Sequence, residues 1–177
     1  MPSKVVQLVA VGNIPSTLLK ELEEPLQTQL QLQTVQGKIA LAEPRYAFNK
    51  DREQYHSQAI MRRLIPLLQA GQNFALGVCA VDLFVPDSPF VFGEADRESR
   101  SALISLFRLR QGADSEHVKK RAQIEVVHQA GHLLGLSFCD DPRCVMFLAT
   151  APGDLDRKNI ALCNVCRNEL AKLSRQG

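Results

Sequence analysis

The sequence predicts an α+β fold in one domain. Short Val- and Leu-rich stretches with strand character recur along the N-terminal part, while helical periodicity dominates the C-terminal half. The chain has 177 residues, of which 45% are apolar and 23% charged, enough material for one good core. No repeat, low-complexity run or shift in composition marks a boundary, so residues 1–177 are expected to form a single domain.

Residues 4–11 read as a buried, Val-rich strand. Residues 15–30 read as a helix with Leu18, Leu22, Leu26 and Leu30 on one face, which Pro25 should kink or divide. A second strand is expected loosely over 32–41. Asp51 followed by Gln54 resembles a capping box and predicts a helix over 52–68, with Ile60, Leu64 and Leu67 as its buried stripe and Pro66 bending its last turn. Residues 74–85 predict a strand with Phe74, Leu76, Val78 and Ala80 on one face. The turn residues 86–89 follow, then an extended stretch over 90–95 interrupted by Gly93. Another strand is expected over 102–109 and a loop over 111–116. A long helix over 116–134 should stop at Gly135. A last helix over 155–173 would take Asp154 as its cap.

The net charge of +2 makes no electrostatic case for nucleic acid or an anionic membrane. The N-terminal apolar run is broken by Gln7 and is too short for a secretory signal, and no stretch approaches the roughly 18–20 apolar residues of a membrane span. A cytoplasmic location is therefore expected. In a reducing compartment, clustered cysteines suggest metal rather than disulfides.

Cys139, Cys144, Cys163 and Cys166 are spaced C-x4-C-x18-C-x2-C. Two close pairs joined by a longer loop can supply the tetrahedron of thiolates that zinc takes in a closed structural site. Asp141-Pro142 favours a tight turn between the first pair. Unligated thiols and disulfides are the other readings of the same pattern. A four-cysteine site leaves no open coordination position, so its expected role is to tie the last helix to the preceding loop.

On the long helix, Glu125, His128, Gln129 and His132 fall within roughly a 100° sector, while Val126, Val127, Ala130, Leu133 and Leu134 fill much of the rest. A mostly apolar helix with one polar stripe should be buried and turn that stripe to a cleft. Imidazoles at i and i+4 can bind one metal ion.

Taken together, "HQAGHLLGLSFC" followed by "CVM" resembles the metzincin metallopeptidases, and specifically the archaemetzincins, whose pattern is HExxHxxGxxHC, a second cysteine with a following methionine, then CxxC. Residues 76–95 also look like the strand region of that family. The resemblance covers nearly the whole chain and is most specific over 76–95 and 125–166. It implies a metzincin-like fold: a twisted mixed sheet backed by helices over residues 1–135, with a smaller C-terminal subdomain over 136–177. It also implies that His128 and His132 are ligands of a catalytic zinc, that Met146 packs in a methionine turn beneath it, and that the four cysteines hold a second zinc. The stretch 90–95 would lie along a cleft where an extended peptide or protein adds a strand.

Two positions depart from the family pattern. Gln129 stands where the general-base glutamate belongs, and losing a positioned base typically removes about 10²- to 10⁴-fold in rate. Phe138 stands where the third zinc histidine belongs and has no lone pair to offer. Its ring suggests a packed, dry site. Asp140 or Asp141 could replace the third ligand, and Glu125, on the same helix face, could replace the base or be a solvated or salt-bridged glutamate. The expectation is an archaemetzincin-like protein with one structural zinc, a doubtful second zinc and peptidase activity lost or severely reduced. An active zinc peptidase with an unusual ligand set and a zinc-ribbon-like interaction module are the competing functions. Elsewhere, Cys79 reads as a core thiol, His56 and His117 as surface residues, and Asp82 as a buried carboxylate needing partners. Arg62-Arg63 and Lys119-Lys120-Arg121 read as solvated helix faces.

Overall fold

A computed structural model describes residues 2–177. In chain order the elements are β1 (Val5–Ala10), α1 (Ser16–Glu21), α2 (Glu23–Leu30), β2 (Gln33–Gln36), β3 (Phe48–Asn49), β4 (Gln54–His56), α3 (Ser57–Met61), β5 (Phe74–Cys79), β6 (Leu83–Phe84), β7 (Gly93–Asp96), β8 (Ser101–Ser105), α4 (Ser115–Leu133), α5 (Pro152–Arg157) and α6 (Asn164–Gln176). The main sheet has the order β2-β1-β5-β8-β7. Its first four strands are parallel and β7 runs antiparallel to β8, leaving β7 as an edge. A small sheet, β3-β4-β6, stands beside it. This is the mixed sheet backed by helices that the resemblance implied.

The central strands are apolar at nearly every position because both faces of the sheet are covered. Val6, Leu8, Phe74, Leu76, Val78, Ala102 and Ile104 point into the larger core, against residues of α1, α2 and α4. Val9, Ala75, Cys79 and Leu103 point the other way, onto Ile60, Met61 and Leu64. The larger core continues into the C-terminal segment through Val145, Met146, Leu155, Leu162 and Cys166, so the cysteine-bearing part is packed on the domain rather than standing free.

Several expected elements take a different form. The helix over 15–30 divides at Leu22, three residues before Pro25. Proline is tolerated in the first turn of α2, but its ring clashes with the carbonyl four residues back, which ends α1 at Glu21. The second strand is shorter than 32–41, reaching only Gln36. The helix over 52–68 does not form as a whole. Tyr55 donates its backbone N–H to the Asp82 carbonyl, and buried Gln54 bonds to the Asp82 carboxylate and the Pro89 carbonyl, so the segment is recruited as β4 before α3 begins. A 3-10 turn containing Pro66 then closes it. The strand over 74–85 splits into β5 and β6, and the one over 102–109 ends at Ser105. The last helix is two helices, α5 and α6. Asp154 lies inside α5 and accepts from the Thr150 and Ala151 backbone, and Lys158 leaves the helix in an extended conformation. The long helix forms as expected: Asp114 caps α4 by accepting from the His117 N–H at 2.9 Å, and Gly135 follows the helix end with φ +106°, a conformation that favours glycine.

Candidate metal centre and cleft

The four cysteines converge. Their Sγ atoms lie within 4.8 Å of one another, and those of Cys139 and Cys163 are 3.7 Å apart. A tetrahedron with Zn–S bonds of about 2.3 Å has sulfur–sulfur edges of about 3.8 Å, so the cluster has the size zinc requires. No disulfide joins them. Backbone amides of Asp141, Met146, Cys163 and Cys166 aim at these sulfurs at 3.4–3.5 Å, the second-layer hydrogen bonding that stabilises thiolates. Cys163 is also the N-cap of α6. The break between α5 and α6 is what lets the second pair reach the first: Asn159 N–H bonds the Arg143 carbonyl at 2.8 Å, tying the two cysteine-bearing loops together.

On α4, His128 and His132 present a different geometry. His128 Nδ1 is 2.8 Å from the Val145 carbonyl and His132 Nδ1 is 2.8 Å from the Leu136 carbonyl. A carbonyl only accepts, so both Nδ1 atoms carry protons and both neutral rings present an Nε2 lone pair. Those two Nε2 atoms are 3.1 Å apart. Burial holds both imidazoles below the usual histidine range, more strongly at His128, and the Lys158 ammonium adds to the effect at both. Two lone pairs facing each other suit a shared cation better than a hydrogen bond. Zinc with Zn–N of about 2.0–2.1 Å would place its tetrahedral nitrogens about 3.3–3.4 Å apart. The pair therefore fits two ligands of one metal. The third position does not fit: the Phe138 ring lies 4.6 Å from that of His132 and 5.7 Å from that of His128, centroid to centroid. Among the described residues the four cysteines are the only group of three or more His, Cys, Asp or Glu that gathers ligand atoms. Neither Asp140 nor Asp141 completes the histidine pair.

Phe138 corrects one expectation. Phe138 is 58% exposed, so the site is not packed dry. The phenylalanine forms one wall of an open cleft of about 800 Å³, lined also by Phe90, Gly93, Glu94, His132 and Leu148. Met146 is fully buried against Gly131 of α4, where an added Cβ would come within 2.5 Å of its Sδ.

Gln129 is buried on the floor of the cleft and donates Nε2 to the Glu125 carboxylate at 2.7 Å. Glu125 is neither solvated nor held in an ion pair: it is buried, and burial raises its carboxyl to about 7 against the opposing pull of Lys158 and the Gln129 hydrogen bond. Lys158, which the sequence reading missed, is itself buried and donates Nζ to the Val145 carbonyl at 3.0 Å, the oxygen that also holds His128. Its place within the expected helix over 155–173 gave no signal of burial.

Arg121 also departs from expectation. It is no solvated helix residue: it is buried, forks onto Asp156 at 2.8–2.9 Å, and bonds the carbonyls of Leu109 and Gln111. Lys120, Arg62 and Arg63 are exposed. His117 is exposed and His56 half-buried against Phe84. Cys79 is fully buried, its thiol pushed up to about 12 by desolvation. Asp82 has the partners a buried carboxylate needs, accepting from Arg108 at 2.7 and 2.8 Å and from Gln54 at 3.1 Å. No helix among the described residues is long and apolar enough to cross a membrane.

Comparison with known proteins agrees with this fold. The sequence pattern of Peptidase family M54 matches residues 28–172. The archaemetzincin of Methanocaldococcus jannaschii is 34% identical over 165 residues, spanning 90% of this chain and 89% of its own. The crystal structure of archaemetzincin from Methanopyrus kandleri superposes with a TM-score of 0.83 at 30% identity, covering 98% of this chain and 96% of that one. A zinc-dependent peptidase from Methanocorpusculum labreanum superposes with a TM-score of 0.84 at 26% identity, covering 93% and 99%.

Proposed function

Because the chain belongs to peptidase family M54, the archaemetzincins, we propose that it keeps the fold and the four-cysteine zinc of that family while its peptidase chemistry is lost or severely reduced. The observation that carries this reading is the Phe138 ring against both imidazoles at the third-ligand position. Two imidazoles alone should hold zinc far more weakly than three protein ligands. The second support is Gln129. An amide cannot take a proton at neutral pH, and this one is committed as a donor to Glu125. Glu125 cannot readily stand in as the base, because its carboxylate accepts from Gln129 and is sealed behind it at 3% exposure.

On this reading the cleft binds an extended peptide or protein segment along the β7 edge without cleaving it. The convergent Nε2 atoms of His128 and His132 favour a second reading, a weakly metal-loaded peptidase. A peptide-library cleavage assay separates the two. The first reading expects no turnover above background. Turnover abolished both by chelator and by His128→Ala would overturn it.

A further inference from the structure

Behind Phe138, on the side away from the histidines, lies a second groove of about 700 Å³. Phe138 lines both this groove and the cleft. Its apolar surface is Phe138 and Val165, the latter 75% exposed. Its charged lining is entirely acidic: Asp140, Asp141 and Glu169, all exposed, none in an ion pair among the described residues. Asp141 spends one oxygen on the Arg143 backbone N–H; no hydrogen bond among the described residues engages the carboxylates of Asp140 or Glu169. Three of the cysteines form part of the same lining. A zinc ion with four thiolates has a net formal charge of about minus two, so the loaded cluster adds to the negative field. Arg167, on the neighbouring helix turn, is turned onto Asn164 and the Leu162 carbonyl. Exposed apolar side chains ringed by one sign of charge recognise a ligand that brings both contacts at once.

We propose that this groove docks a peptide segment bearing an arginine or lysine beside a bulky apolar side chain. The inference rests on the reading that the cleft binds peptide, and it names the class of peptide: one whose continuation past Phe138 is basic and apolar. The apolar side chain covers Phe138 and Val165 while the cation faces Asp140, Asp141 and Glu169.

The test uses zinc-replete full-length protein and fluorescence anisotropy. A short labelled peptide of alternating leucine and arginine is compared with versions carrying glutamate for arginine or serine for leucine. An exposed carboxylate–cation pair is worth about 1.4- to 5-fold in affinity, so three set an expected preference of about tenfold for the basic over the acidic peptide, shrinking as salt is raised. The triple variant Asp140→Asn/Asp141→Asn/Glu169→Gln, checked for unchanged zinc content and circular dichroism, should lose that preference. Val165→Ser should lose the advantage of leucine over serine. Equal affinity for basic and acidic peptides, or a preference that survives the triple variant, overturns the proposal. So does self-association of the parent that Val165→Ser abolishes, since the occupant would then be a second copy. Chelator-sensitive cleavage of the bound peptide would instead overturn the reading of lost peptidase activity and leave the groove preference standing.

Discussion

On the proposed reading, Phe138 and Gln129 stand where the family pattern has a zinc ligand and a general base. The Phe138 ring lies against His132, where the proposal puts the missing third ligand. Phe138→His is therefore expected to raise tightly bound zinc toward two per chain, measured by metal analysis after gel filtration, whereas Gln129→Glu alone is not. Combining the two should give chelator-sensitive peptide cleavage at least about 10²-fold above the parent. Glu125 carries a separate pH signature. Its folded pKa, raised to about 7, lies above the ordinary glutamate value, so the folded state binds the extra proton. Its contribution is therefore favourable at low pH and lost as pH rises from the ordinary carboxylate range through about 7, by on the order of 3 kcal/mol. Buried His128 titrates in the opposite sense, so the effect is read as a difference. Denaturant melts of Glu125→Gln against the parent should show the variant gaining relative stability from pH 5 to pH 8, roughly the window of these shifts. A constant difference across that range would contradict the assignment.

At the scale of elements, β7 and α4 meet at Gly93. An added Cβ there would stand 2.6 Å from the Leu103 carbonyl and about 3 Å from the Gln129 side chain. The first obstacle is backbone and cannot swing aside, so Gly93→Ala should destabilise the fold by about 1–3 kcal/mol, seen as a lower unfolding midpoint in urea with an unchanged slope. Arg121 joins α4 to α5 and to the turn before α4. Its removal strands the carbonyls of Leu109 and Gln111 as well as Asp156. Arg121→Ala is expected to cost about 3 kcal/mol, and Asp156→Asn distinctly less because the Asp156 side chain is partly exposed. Equal losses for the two would place the energy in the ion pair rather than in the capped carbonyls.

Across the whole molecule, legibility follows the range of the interactions involved. The α4 pattern, the strand alternation at Phe74, Leu76 and Val78, and the cysteine spacing are local or periodic, and each could be read from the chain alone. The segment around Gln54 could not, because its conformation depends on Asp82 and Pro89, far along the sequence. The division of the last helix depends likewise on Arg143 meeting Asn159. Arg121 read as a solvated cation and Lys158 carried no mark at all, and only the packing of the C-terminal segment onto α4 shows them buried. The roles expected of Met146, Gln129 and Phe138 came from the resemblance to the archaemetzincins, since no periodicity marks them. The proposed function thus sets a four-cysteine cluster that gathers its ligand atoms against a histidine pair proposed to lack a third zinc ligand. Zinc analysis of the purified protein, by elemental mass spectrometry after dialysis against a mild chelator, tests that contrast most directly. The account predicts about one zinc per chain, lost on substitution of Cys166 by serine and unaffected by His128→Ala. Two tightly held zincs, one of them lost in His128→Ala, would contradict it.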